Sequence, residues 1–162
     1  MDVLRDVVWR HAAGMVYPED LPMVAAEALA RGVDSPALRE LAGLGKGSAT
    51  TEIENLYRDA LAELGITAPG RREAVRWWLG ELAEELVQGG LSVAGLARKI
   101  VPGEEWMAED EYRFAVLAYY WQETVDLISA PQARAAEIDL LDAARAILRQ
   151  NNSSRAGARE HP

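Results

Sequence analysis

Thr51-Glu52-Ile53-Glu54-Asn55-Leu56-Tyr57-Arg58-Asp59-Ala60-Leu61-Ala62-Glu63-Leu64-Gly65 is the stretch that decides the fold class. Ile53, Leu56, Tyr57, Ala60, Leu61 and Leu64 recur at steps of three or four residues, which gathers them on one face of a helix. Charged and amide side chains fill the other face. Thr51 with Glu54 three positions later reads as a capping box at the start, and Gly65 is a stop at the end.

The same period extends outward in both directions. Towards the N-terminus, Leu4, Val7, Val8, His11 and Met15 share a face, and Tyr17-Pro18-Glu19-Asp20 breaks the chain. Pro22 suits the first turn of a second helix, which Gly32 ends. Ser35-Pro36 is a cap followed by a first-turn proline, opening a short helix with Leu38, Leu41 and Ala42 inward. Towards the C-terminus, a long helix is predicted from about Arg71 to Gln88 and ends at Gly89-Gly90. Ser92 caps a short helix, Glu109 to Ile128 is another long one, and Pro131 separates it from a last helix over Ala135 to Gln150. No run alternates β-branched and polar residues, so a sheet is not expected. The chain reads as all-α: a compact bundle of about eight helices, one helical domain over 1–150 with a flexible tail over 151–162.

A shift of 57 residues aligns two three-helix units without a gap. Leu29, Gly32, Ser35, Glu54 and Tyr57 fall on Leu86, Gly89, Ser92, Glu111 and Phe114. Ala-rich helices produce such coincidences by themselves. The matching Gly and Ser punctuation is what suggests an internal repeat over 21–65 and 78–122.

Composition limits the functions open to such a chain. Hydrophobic residues make up 49% of the 162, enough to bury a core. The formal charge is −9, from 26 acidic and 17 basic side chains. That surface repels phosphate backbones and attracts basic proteins, so general nucleic-acid binding is not expected. There is no cysteine, hence no disulfide, thiolate metal site or Cys nucleophile. No run approaches the ~18 apolar residues of a membrane span, and residues 1–15 lack the apolar core of a signal peptide. A cytoplasmic protein is expected.

Motifs for catalysis are sparse. His11 sits on an apolar face, where a half-buried histidine bonded to a backbone carbonyl is the plainer explanation. The glycines of Gly43 to Ser48 lack the G-x-x-x-x-G-K-[ST] spacing and a preceding strand, so they do not form a phosphate loop. As the turn of a helix-turn-helix, the same loop would lead into Glu52-Ile53-Glu54, whose carboxylates suit a major groove badly. Acidic pairs at helical spacing occur at Glu81 with Glu84 and at Glu123 with Asp126. These pairs resemble the E-x-x-E and E-x-x-D motifs of all-α nucleotide pyrophosphatases of the MazG type, over Leu79 to Ile128. The resemblance implies Mg²⁺ held by Glu81, Glu84, Glu123 and Asp126, and cleavage of a nucleoside triphosphate to the monophosphate. A solvated acidic face is the alternative that the carboxylate excess predicts anyway. Separately, Asp34-Ser35-Pro36-Ala37-Leu38-Arg39-Glu40-Leu41-Ala42-Gly43-Leu44 and Ala60-Leu61-Ala62-Glu63-Leu64-Gly65, within Tyr17–Gly65, resemble uncharacterised small all-α proteins of GC-rich bacteria. That resemblance implies a helical architecture and no particular chemistry.

The aromatics point elsewhere. Trp77 lies opposite its helix's apolar stripe, among Glu73, Glu81 and Glu84. On the Glu109–Ile128 helix, Phe114, Leu117, Ala118, Trp121 and Val125 form the main stripe, and Tyr112, Val116, Tyr119 and Glu123 form an opposite one. Two apolar sides predict a central helix packed all round, with Tyr119 in the core. The competing expectation is a contact surface built from Trp77, Trp106, Tyr112, Tyr119 and Tyr120 and rimmed by carboxylates. On that expectation the protein is a non-enzymatic interaction or regulatory module, an acidic, immunity-like partner of a basic protein, with no cofactor. The alternative is the Mg²⁺-dependent pyrophosphohydrolase.

Overall fold

The structure is a computed structural model that describes residues 2–100 and 108–157, with side chains described over 4–100 and 108–151. Eight α-helices and no strand occur among the described residues. The chain divides into two compact units, Met1–Ala74 and Val75–Pro162. Each unit closes around its own hydrophobic cluster.

In the first unit, α1 (Asp2–Ala12) leads through a 3-10 turn (Pro18–Asp20) to α2 (Leu21–Ala30), α3 (Pro36–Ala42) and α4 (Thr50–Glu63). The periodic residues face inward as read: Leu4, Val8, Leu21, Leu38, Leu41, Ile53, Tyr57 and Leu61 are buried together. Chain reversal after α2 needs the left-handed conformation at Gly32, whose φ is 85°. Ser35 caps α3, its hydroxyl accepting from the Leu38 N–H at 3.2 Å. Glu63, at the end of α4, accepts from the Ala37 N–H at 2.9 Å, so one helix end satisfies the start of another. The capping box expected at Thr51–Glu54 does not form. α4 starts two residues earlier than that reading requires, after Ala49, and has no side-chain cap.

His11 is half-buried, and its Nδ1–H donates to the Val16 carbonyl at 2.9 Å. Its ring meets Tyr57 edge-on, with centroids 4.9 Å apart. The Tyr57 hydroxyl is buried with no protein partner, and burial pushes its phenol well above the ordinary range.

The second unit holds α5 (Arg71–Val87) from Val75 onward, α6 (Val93–Ala97), α7 (Glu109–Thr124) with a 3-10 turn over Val125–Leu127, and α8 (Ala130–Gly157). Leu79, Leu82, Leu86, Leu96, Phe114, Ala118, Leu140, Ala144 and Ile147 make its core. Gly89 ends α5 with φ 77°, and Ser92 caps α6 by accepting from the Gly95 N–H at 3.1 Å. Helix, left-handed glycine, serine cap, short helix and long helix thus follow in the same order in both units. The last helix corrects the sequence reading at both ends. Pro131 falls in its first turn, where no N–H is needed, and Gln132 reaches back to accept from the Ser129 N–H at 3.0 Å. Nothing between Gln150 and Gly157 breaks the helix, so it continues past the predicted end. The end of α7 tightens to 3-10 at Val125, after the Thr124 hydroxyl donates back to the Tyr120 carbonyl at 2.7 Å.

Two stability outcomes follow from these cores. Phe114 is fully buried, so Phe114→Ala should cost about 3–5 kcal/mol in urea unfolding. Tyr57→Phe removes a buried hydroxyl that bonds to nothing in the protein, and should stabilise by about 1 kcal/mol at neutral pH. The folded phenol keeps a proton that the unfolded chain loses above about pH 10. Its contribution is complete below that pH and is lost as pH rises further. Urea midpoints from pH 9 to 11 should therefore fall more steeply for the wild type than for Tyr57→Phe, and parallel curves would refute this.

Candidate interaction surface

The rotation of α7 about its own axis decides which side chains reach solvent. Its first turn is acidic, with Glu109, Asp110 and Glu111, as suits the positive end of a helix dipole. Glu109 is exposed and Asp110 half-buried, whereas only 3% of Glu111 is accessible. Its Oε1 accepts from Arg76 Nε on α5 at 2.7 Å, and its Oε2 accepts from the Ala108 N–H at 2.8 Å. One carboxylate therefore closes the helix start and ties it to a neighbouring helix. Gln150 on α8 donates to Asp110 beside it. Phe114, Ala115 and Ala118 follow Glu111 on the buried side.

With that side fixed inward, the opposite stripe faces outward. Tyr112 is 37% exposed, Tyr119 43% and Tyr120 61%. Leu127, in the 3-10 turn, is 83% exposed. The expectation that this stripe is core, and Tyr119 with it, is overturned. α7 packs against α6 and α8, with Phe114 in the shared core, and its tyrosine side is exposed. Leu117, Trp121 and Val125 of the main stripe are half-buried. Tyr119 and Tyr120 support each other edge to face, with ring centroids 6.1 Å apart at 72°. Exposed Glu109, Glu123 and Asp126 flank the rings, with Arg113 at one shoulder.

The other proposed contact residues stand apart from this stripe. Trp77 is half-buried on α5, beside Trp78, and lines an open groove of about 290 Å³ with Gly80, Glu81, Glu84, Leu148 and Asn151. Trp106 lies outside the described residues. The four carboxylates of the pyrophosphatase resemblance are exposed, and Glu84 accepts from Gln88 at 2.9 Å. Among the described residues no three His, Asp or Glu side chains gather as a metal site would need, so the quartet does not converge. Nor is any described helix long and apolar enough to cross a membrane.

Sequence reasoning missed the Glu111–Arg76 pair. The available signal was positional: Glu111 stands three residues after Ala108, where a side chain can reach back to the helix-start N–H. Its partner 35 residues away in sequence could not have been read from local pattern. Compared with known families, with curated proteins and with solved structures, the chain finds no match.

The two faces of α7 should respond oppositely to truncation. Glu111→Ala removes a buried acceptor for two donors; with the arginine itself half-exposed, it should cost about 1–3 kcal/mol. Tyr119→Ala should change stability by less than about 0.5 kcal/mol, as surface substitutions do. Thermal or urea unfolding of both variants checks this, and a large loss for Tyr119→Ala would return the stripe to the core.

Proposed function

We propose that this chain is a non-enzymatic protein-interaction module, an acidic, immunity-type or regulatory partner whose outer α7 face receives a basic protein. The observation that carries this reading is the exposed run of Tyr112, Tyr119, Tyr120 and Leu127 on one face, flanked by Glu109, Glu123 and Asp126. Large apolar side chains left in water on one helix side forgo burial energy of roughly 1.5–3 kcal/mol each. A partner that covers them recovers it. Tyrosine is the side chain suited to that role, because it buries a broad ring at low entropic cost and keeps a polar tip. The −9 charge acts at longer range, drawing a basic partner in and holding nucleic acid off.

The test is photo-crosslinking in the native host, with Tyr120→p-benzoylphenylalanine as the probe. One basic protein should be captured, and its affinity should weaken as salt rises. The double substitution Tyr112→Ala and Tyr119→Ala should lower that affinity by about tenfold or more while leaving the melting temperature unchanged. No specific cross-link, or one indifferent to salt and to both tyrosines, would overturn the proposal.

A further inference from the structure

The 43–49 loop between α3 and α4 has no part in the α7 surface, and the first unit forms a separate groove beside it. Met23 and Ala26 of α2, Ala42 and Leu44 around the end of α3, and Ile53 of α4 give that open groove its apolar walls, around a space of about 450 Å³. Clefts that take small molecules measure roughly 300–1,000 Å³. Met23 is 67% exposed, a large, adaptable side chain left in water. Glu19 and Asp20 of the 3-10 turn and Lys46 of the loop line the same groove. All three are exposed, and among the described residues no hydrogen bond or ion pair engages their side chains. Gly45 and Gly47 flank Lys46, and a Cβ on either would meet nothing within 4 Å, so the loop backbone is open to an incoming chain.

Charges of both signs beside an apolar wall select the chemistry of a ligand. A simple anion, such as a fatty acid, would meet two carboxylates along with the one ammonium, and a simple cation would meet the like charge of Lys46. A zwitterion with an apolar body satisfies both. We propose that this groove binds a short apolar peptide with both termini free, its ammonium taken by Glu19 and Asp20, its carboxylate by Lys46, and its side chains by Met23, Leu44 and Ile53. Among zwitterions a peptide fits because its own N–H and C=O groups need partners, and the Ser48 hydroxyl and the backbone of Gly45 and Gly47 line the groove to supply them. An internal segment of a protein fits less well. It would have to present both charges on long side chains, whose ordering costs more entropy than that of termini carried directly on the backbone.

The experiment titrates the full chain, isotope-labelled at its methionine methyls, with the tripeptide Ala-Leu-Ala at low salt and follows binding by NMR. The Met23 methyl resonance should move, with a Kd of about 1 mM or tighter. The N-acetylated and the C-amidated tripeptide should each bind about three- to fivefold more weakly, the range of exposed charge pairs. Lys46→Gln should erase the difference between the free and the amidated peptide, and Glu19→Gln with Asp20→Asn the difference between the free and the acetylated one. These positions are exposed, so the variants should fold as the parent does. A Met23 resonance that stays in place up to about 10 mM peptide overturns the proposal. So does equal affinity for the free and the doubly capped peptide, which would give the groove to an internal segment of a protein instead. Differences between the peptides that survive the charge-removing substitutions overturn the placement of the termini.

Discussion

The buried Glu111 carboxylate is the constraint on which the second unit's outer surface depends. A charge taken out of water is tolerated only when hydrogen bonds and an opposite charge replace its hydration. Here the replacement comes from the Ala108 N–H and from Arg76 Nε. The Ala108 bond closes the helix start, and the Arg76 bond joins α7 to α5 on the side where Phe114, Ala115 and Ala118 are buried, while Tyr112, Tyr119 and Tyr120 lie on the exposed side. Arg76 remains half-exposed, so the pair's contribution is better described as orientation than as a large gain in stability.

Stability rests instead on two separate hydrophobic clusters, each closed by short connections whose backbone groups are satisfied locally. Serine caps at Ser35 and Ser92 and left-handed turns at Gly32 and Gly89 perform the same task 57 residues apart. The cores differ in how they treat polar groups. In the first, the Tyr57 phenol is buried without an acceptor, while His11 beside it bonds to Val16. In the second, the Glu111 carboxylate has both oxygens used, while the Trp121 indole N–H is buried without an acceptor.

The acidic pairs and the tyrosine stripe place different demands on tertiary structure. Pairs such as Glu81 with Glu84 share a helix face because of their spacing, which says nothing about whether a second pair on another helix turns towards them. Here the pairs are exposed and do not meet. The tyrosine stripe asks less of tertiary structure. It lies on one helix, and its spacing alone builds the surface once that face is turned to solvent.

The all-α class, the number of helices and most of their limits were legible because they are local. A 3.6-residue period, a serine before a proline, and a glycine after a stripe each act within a few residues, as Ile53 to Leu64, Ser35 and Gly89 do. The misplaced starts of α4 and α8 show the limit of that locality. Ala49 begins a helix without a cap, and Pro131 sits inside a first turn, where sequence read a break. What the tertiary structure alone decided is that the second side of α7 is left in water. Periodicity marked the Phe114 stripe as the main one, but the rings of the opposite stripe favoured burying that side as well. Arg76, 35 residues away in sequence, meets Glu111 on the side where Phe114, Ala115 and Ala118 join the core, and that long-range packing is what no local pattern encodes.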